Sequence, residues 1–134
     1  MTYPAVEETP TNAPMLAAWR RGRLALQKCD ACGLVFFYPR ACCPACWSER
    51  LAWIEAAGGG TIVSFSLVHR PLNPAFDAEA PIVLAEIRLP EGASLIARVI
   101  ARDPASAQIG SPVVLVPPPL SLRYPLPTFL LPPP

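Results

Sequence analysis

Four cysteines stand as two matched pairs, Cys29-x-x-Cys32 and Cys43-x-x-Cys46, with ten residues between the pairs. Each pair can curl into a tight knuckle that puts two sulfurs on one side. Two facing knuckles then complete a tetrahedron of sulfurs at about 2.3 Å from a zinc ion. A site closed by four protein ligands has no position left for water or substrate, so the expected role is structural. Iron is the rival metal, because tetrahedral sulfur suits both. Gly33, directly after Cys32, is free to take positive φ and turn backbone N–H groups toward the thiolates. Trp47 holds the equivalent place after Cys46 and departs from that symmetry. Four thiolates outnumber the two positive charges of zinc, and Lys28, Arg40 and Arg50 lie close in sequence to offset the excess. The fifth cysteine, Cys42, offers an alternative Cys-x-x-x-Cys spacing with Cys46. Matched pairs and the stiffening effect of Pro44 favour Cys43 as the ligand, which leaves Cys42 as a small, partly buried side chain.

Outside the cysteines the chemistry is sparse. His69 is the only histidine, so any general-base proposal has to pass through it. No recognised serine- or cysteine-centred motif surrounds it, which favours a structural or interface role. Arg70, Arg88 and Arg98 are candidates for bidentate phosphate contacts. Against that, Arg88 and Arg98 occupy the polar phase of alternating segments, where solvated charges are ordinary.

The elements that must hold these residues are mainly β. Residues 1–12 are polar, contain proline and have no periodic apolar face, so they read as a loose arm. The pattern then predicts a short helix over Pro14–Arg21, capped by Asn12, with Leu16 and Trp19 on one face and Gly22 ending it. Leu24 and Leu26 alternate with Ala25 and Gln27 as a strand entering the first cysteine pair, and Leu34–Tyr38 reads as a second short strand. Leu51–Glu55 is extended, and Gly58-Gly59-Gly60 permits a change of direction.

A second module begins there. Val63, Phe65 and Leu67 fall on one face of a strand over 61–68, with Ser64 and Ser66 on the other, so Phe65 is expected in the core. Residues 71–81 read as a proline-rich loop. Ile82–Leu89 and Leu95–Ile100 form strands joined at Pro90-Glu91-Gly92, Asp103-Pro104 opens a single helical turn, and Val113–Val116 adds another strand. From Pro117 the tail is too rich in proline for a regular helix, and its Leu126, Phe129, Leu130 and Leu131 need apolar cover from this domain or from a partner. The resulting division is an arm and helix over 1–22, a ribbon over 23–57 and a barrel with its tail over 58–134.

Length and composition set outer limits. A chain of 134 residues can hold a small metal-stapled module attached to a compact barrel, but hardly two self-sufficient cores. Although 52% of the residues are hydrophobic, no run approaches the roughly 18 apolar residues of a membrane helix. The first residues lack the basic start and apolar segment of a secretory signal, so a cytoplasmic location is expected. In that setting paired cysteines point to metal rather than to disulfides. A formal charge of +1, without aromatic and basic residues interleaved along the strands, disfavours nucleic acid. Binding of single-stranded nucleic acid is the alternative function, because both zinc ribbons and small β-barrels can serve it.

Residues 29–46, Cys-Asp-Ala-Cys-Gly-Leu-Val-Phe-Phe-Tyr-Pro-Arg-Ala-Cys-Cys-Pro-Ala-Cys, resemble the rubredoxin-like zinc ribbon of the acyl-CoA-associated OB-fold proteins, a former domain of unknown function. The likeness continues through Gly60–Arg70, Pro81–Leu89, Glu91-Gly92 and Ile109–Val114, and covers about residues 14–130. It implies a short N-terminal helix, a zinc ribbon and a five-stranded OB-fold barrel. It also implies a partnership: such proteins accompany thiolase-like or hydratase-like enzymes as a subunit that bridges or completes an acyl-CoA site. No catalytic motif carries over, so the expectation is an auxiliary subunit rather than an enzyme acting alone.

Overall fold

The computed structural model describes residues 3–133; Met1, Thr2 and Pro134, from the ends of the arm and tail, lie outside them. Helix α1 spans Ala13–Arg20 and buries Met15, Leu16, Ala18 and Trp19 along one face. Asn12 does not cap it through its side chain. It pairs instead with the turn ahead: its Oδ1 accepts from the Thr9 amide at 2.7 Å, while its own amide donates to Thr9 Oγ1 at 3.2 Å. The arm is not loose either. Tyr3 stacks on Phe76 and Tyr124 at ring-centre distances of 5.2 and 5.8 Å, and Val6 packs against the main core.

The ribbon is a three-stranded antiparallel sheet of β1 (Ala25–Cys29), β2 (Val35–Phe36) and β3 (Leu51–Glu55), with β1 central. Alternation in β1 fails at Gln27, which is buried although polar. Its amide replaces strand pairing for a loop that has none: Nε2 donates to the Arg40 carbonyl at 3.0 Å and Oε1 accepts the Arg40 amide at 2.8 Å. Both ends of the side chain are thereby satisfied, which makes the burial tolerable.

Five strands close the barrel: β4 (Gly59–Val68), β5 (Ile82–Arg88), β6 (Ser94–Ile100), β7 (Pro112–Leu115) and β8 (Phe129–Leu130), in the order β4-β5-β6-β8-β7 with β7 returning to β4. Gly60 is required where β4 crosses β5, because a Cβ there would sit 2.5 Å from Ile87 Cγ2 and 3.1 Å from the Arg88 carbonyl oxygen. A register shift between Ile62 and Ser64 changes the phase of β4. Ile62 is therefore fully buried, whereas Phe65, expected in the core, is 37% exposed. The proline-rich loop contains a 3-10 helix over Pro74–Glu79, started by Asn73, whose Oδ1 accepts from the Ala75 amide at 2.8 Å.

The last barrel strand comes from the tail. β8 pairs parallel to β6 and antiparallel to β7, and Phe129 is fully buried. The cover that the apolar tail needs is thus supplied by its own barrel for Phe129. Upstream, the tail is fixed to α1 by a buried hydrogen bond of 2.8 Å from Trp19 Nε1 to the Tyr124 carbonyl. Leu24, Leu26 and Phe37 of the ribbon, Met15 and Leu16 of the helix and the barrel interior all belong to one apolar cluster. Among the described residues no helix is long and apolar enough to cross a membrane.

Phe129→Ala is expected to destabilise the protein by about 3–5 kcal/mol, the usual range for removing a core aromatic, measured by urea unfolding. The half-buried Glu79 provides a pH test. Burial alone would raise its pKa, but a 2.6 Å hydrogen bond from Tyr3 and the charges of Arg98 and Arg123 outweigh it, and the carboxyl is held below its ordinary value. A lowered folded-state pKa means that the pairing contributes fully above the ordinary carboxylate range and is lost as pH falls through the folded value. Glu79→Gln is therefore expected to lower the melting temperature at neutral pH and to narrow its gap from the native chain as the solution is acidified.

Candidate metal centre and the barrel cations

Two backbone knuckles of the same design bring the cysteines together. In the first, the Gly33 amide donates to the Cys29 carbonyl at 2.8 Å and the Cys29 amide to the Leu34 carbonyl at 2.9 Å. In the second, Trp47 donates to Cys43 and Cys43 to Ser48, both at 2.9 Å. The Gly33 φ of 81° is matched by 67° at Trp47, so the backbone symmetry of the two knuckles is kept although the residue types differ. Tryptophan takes up the left-handed conformation that glycine adopts freely. Its ring gains no burial in return, being 78% exposed.

The sulfurs of Cys29, Cys32, Cys43 and Cys46 all lie within 4.8 Å of one another. Cys29 and Cys46 are 3.5 Å apart and Cys32 and Cys43 3.6 Å. These contacts are too long for disulfides, whose sulfurs sit about 2.05 Å apart. They approach the roughly 3.8 Å edge of a tetrahedron with 2.3 Å metal–sulfur bonds. Cys29 and Cys43 are buried and Cys32 and Cys46 exposed, so the cluster lies at the surface with two sulfurs facing inward. The neighbouring Cys42 is half-buried and its sulfur is not part of the cluster.

The electrostatics fit a cation at the centre. The Cys32 amide, opposed by burial and assisted by the Ala31 amide, holds the Cys29 thiol down at about 6. Cys46 behaves oppositely: although the Ser48 amide favours its thiolate, contact with Cys29, burial, and the sulfurs of Cys32 and Cys43 push it up to about 12. Cys43 is also held below its ordinary value, against the pull of burial, by the Cys46 and Ala45 amides. Cys32, despite the Leu34 amide, is pushed up by contact with Cys43 and by burial. The two buried thiols thus ionise readily and the two exposed ones resist, the pattern of four acids crowded into one place. A divalent ion relieves that conflict, and the four-cysteine donor set suits zinc.

The four barrel residues singled out as ligand-binding candidates do not converge. His69 and Arg70 are exposed in the bend after β4, beside the Val68–Ile82 pair. Arg88 lies at the far end of the same ladder, opposite Thr61, about 20 Å away by strand rise. Arg98 departs from the solvated state expected of it. Its guanidinium is 3.1 Å from Glu79 Oε1 and 5.6 Å from the Tyr124 ring centre, with only 16% of the side chain exposed. Sequence reasoning missed the Tyr3–Glu79–Arg98–Tyr124 cluster, which draws on four distant segments and has no local signature.

A metal-binding ribbon fused to a closed five-stranded barrel is the class of protein that this geometry defines. The rubredoxin-like zinc ribbon domain model of ChsH2 matches residues 16–52, and the model of the ChsH2 C-terminal OB-fold domain matches residues 53–116. A DUF35 domain-containing scaffold protein of Methanothermobacter thermautotrophicus is 37% identical over 103 residues, 73% of this chain and 77% of that protein. The chain belongs to the DUF35 family. A probable enoyl-CoA hydratase alpha subunit of Thermomonospora curvata is 39% identical over 104 residues, 78% of this chain; the match spans only 32% of that longer protein. Among solved structures, a chain described as "Ltp2-ChsH2(DUF35) aldolase" superposes with a TM-score of 0.76 at 34% identity, covering 96% of this chain and 98% of that one.

Metal analysis of purified variants tests the ligand set. Cys29→Ser, Cys43→Ser and Cys46→Ser are expected to lose metal and ribbon order, whereas Cys42→Ser keeps stoichiometric metal. Stoichiometric metal in Cys43→Ser with none in Cys42→Ser would reverse the assignment within that adjacent pair. Trp47→Gly should leave metal content unchanged and stabilise the protein by about 1 kcal/mol, through release of left-handed strain.

Proposed function

We propose that this chain is a non-catalytic subunit that docks on a thiolase-like or hydratase-like enzyme and helps to form or bridge its acyl-CoA site. The observation that carries this reading is the end-to-end likeness, at 34% identity, to the chain described as part of an Ltp2-ChsH2(DUF35) aldolase. The names of the sequence relatives, a scaffold protein and a hydratase alpha subunit, point the same way.

The site chemistry supports an auxiliary role. Cys29, Cys32, Cys43 and Cys46 would hold zinc, which when bound supplies a closed cross-link between the knuckles and no free coordination position. His69 is exposed and enters no ion pair or side-chain hydrogen bond among the described residues, so nothing orients it as a general base. The exposed aliphatics Leu84 and Ile96 on the outer barrel face suit contact with protein or acyl chain better than stacking of nucleic-acid bases. A cytoplasmic setting, where thiols stay reduced and free to take metal, fits this role.

Co-expression with a thiolase-like or hydratase-like protein from the same source tests the reading. The expected result is a complex that co-purifies through size exclusion and turns over acyl-CoA only when both chains are present. A stable monomer that neither associates with the enzyme nor alters its turnover would overturn it.

A further inference from the structure

Strand β3 pairs with β1 on one side only and forms an edge of the ribbon sheet. The bonds at the two ends of that ladder fix its phase. The Ala56 amide donates to the Leu24 carbonyl at 2.8 Å and the Asp30 amide to the Arg50 carbonyl at 2.9 Å, so both of these pairs are hydrogen-bonded sites. Alternation along an antiparallel ladder then makes Leu26–Ile54 and Lys28–Ala52 bonded pairs as well. The N–H and C=O groups of Leu51, Trp53 and Glu55 are therefore turned away from β1. The Leu51 amide closes a tight turn onto the Glu49 carbonyl at 2.9 Å. No backbone bond outside the ladder reaches Trp53 or Glu55 among the described residues, so each offers a free donor and a free acceptor at the edge.

Natural sheets blunt an exposed edge with lysine, proline, a bulge or a covering loop. From Leu51 to Ile54 there is no charge, no proline and no register shift. The edge opens instead on a groove of about 580 Å³, with Trp53, Ile54 and Glu55 on one side and Pro14, Ala17 and Arg21, on and just past α1, on the other. Charge distinguishes among occupants. Glu55 is taken by Arg23 at 2.8 Å, while Arg21 is exposed and enters no ion pair among the described residues. The groove thus carries one cation in excess. A second copy pairing edge to edge would bring two such cations to one junction, whereas an extended segment that carries a carboxylate neutralises Arg21.

We infer that the β3 edge and its groove take an extended, acidic segment of the partner enzyme as a fourth strand of the ribbon sheet, joined through the backbone of Trp53 and Glu55. The inference rests on the subunit reading proposed above and adds to it the surface by which the ribbon holds the enzyme. The full-length chain, titrated against the thiolase-like or hydratase-like enzyme of the co-expression test, provides the measurement. Glu55→Pro deletes one outward N–H and leaves every bond to β1 in place, a position where an edge strand tolerates proline. Glu55→Ala loses the same carboxylate and keeps the N–H. Both variants are expected to retain stoichiometric metal. Glu55→Pro should weaken association by about ten-fold, the loss of one interfacial hydrogen bond whose acceptor is left unpaired, whereas Glu55→Ala stays near native. Arg21→Glu should weaken it several-fold, with the loss shrinking at high salt. In the native chain, hydrogen exchange at the Trp53 and Glu55 amides is expected to be fast when free and slowed about a hundred-fold in the complex.

Native affinity in Glu55→Pro, or exchange at those two amides that is equally fast in the free chain and in the complex, would overturn the inference and leave the subunit reading standing. A native dimer that Glu55→Pro disperses, seen by sedimentation of the chain alone, would also overturn it by assigning the edge to a second copy. Absence of any association between the native chain and the enzyme would remove the inference and the subunit reading together.

Discussion

Four thiols confined within 4.8 Å cannot all ionise unless positive charge is placed among them, and the ribbon is organised around that requirement. The knuckles have little else to hold them. β2 has two residues, and the loop after it is held by Phe37 in the shared core, by the Tyr38 hydroxyl accepting from the Ile96 amide at 2.9 Å and by Gln27 reaching across to Arg40. Metal-binding energy in such small sites is folding energy. Its influence reaches further, because Leu24 and Leu26 lie on and beside the strand that ends in Cys29 and belong to the same apolar cluster as the barrel interior. The cross-link therefore supports one wall of a core that the barrel also uses.

How much of this was legible depended on whether the governing partner is local. The cysteine spacing, the short helix, the ribbon strands and four of the barrel strands carry their periodicity within a few residues and could be read directly. So could the turn at Asp103, where the side chain caps the amide two residues on. Trp47 was opaque for a different reason: its φ of 67° is imposed by repetition of the knuckle, against its own preference. Phe65 was misplaced because one irregularity between Ile62 and Ser64 changes the phase of everything after it.

The long-range cluster around Glu79 could not have been found from spacing. Its members come from the arm, the proline-rich loop, β6 and the tail, and only the closed barrel brings them together. Arg98 looks on paper like any outward-facing strand arginine. What removes it from water is the ring of Tyr124 and the carboxylate of Glu79, both carried by segments without regular periodicity. The same convergence orders the arm, because Tyr3 has two rings to stack on and a carboxylate to donate to.

Strand β8 was hidden because two residues in a proline-rich stretch have no period to display, yet it occupies the gap between β6 and β7. It is also the last of the described strands in chain order. Until Phe129 and Leu130 dock, β6 and β7 present open edges, the kind of unpaired backbone that recruits a strand from another chain. The barrel is therefore most vulnerable to mispairing before the tail docks, and a partner present at that stage would meet a different surface from the one displayed by the closed barrel.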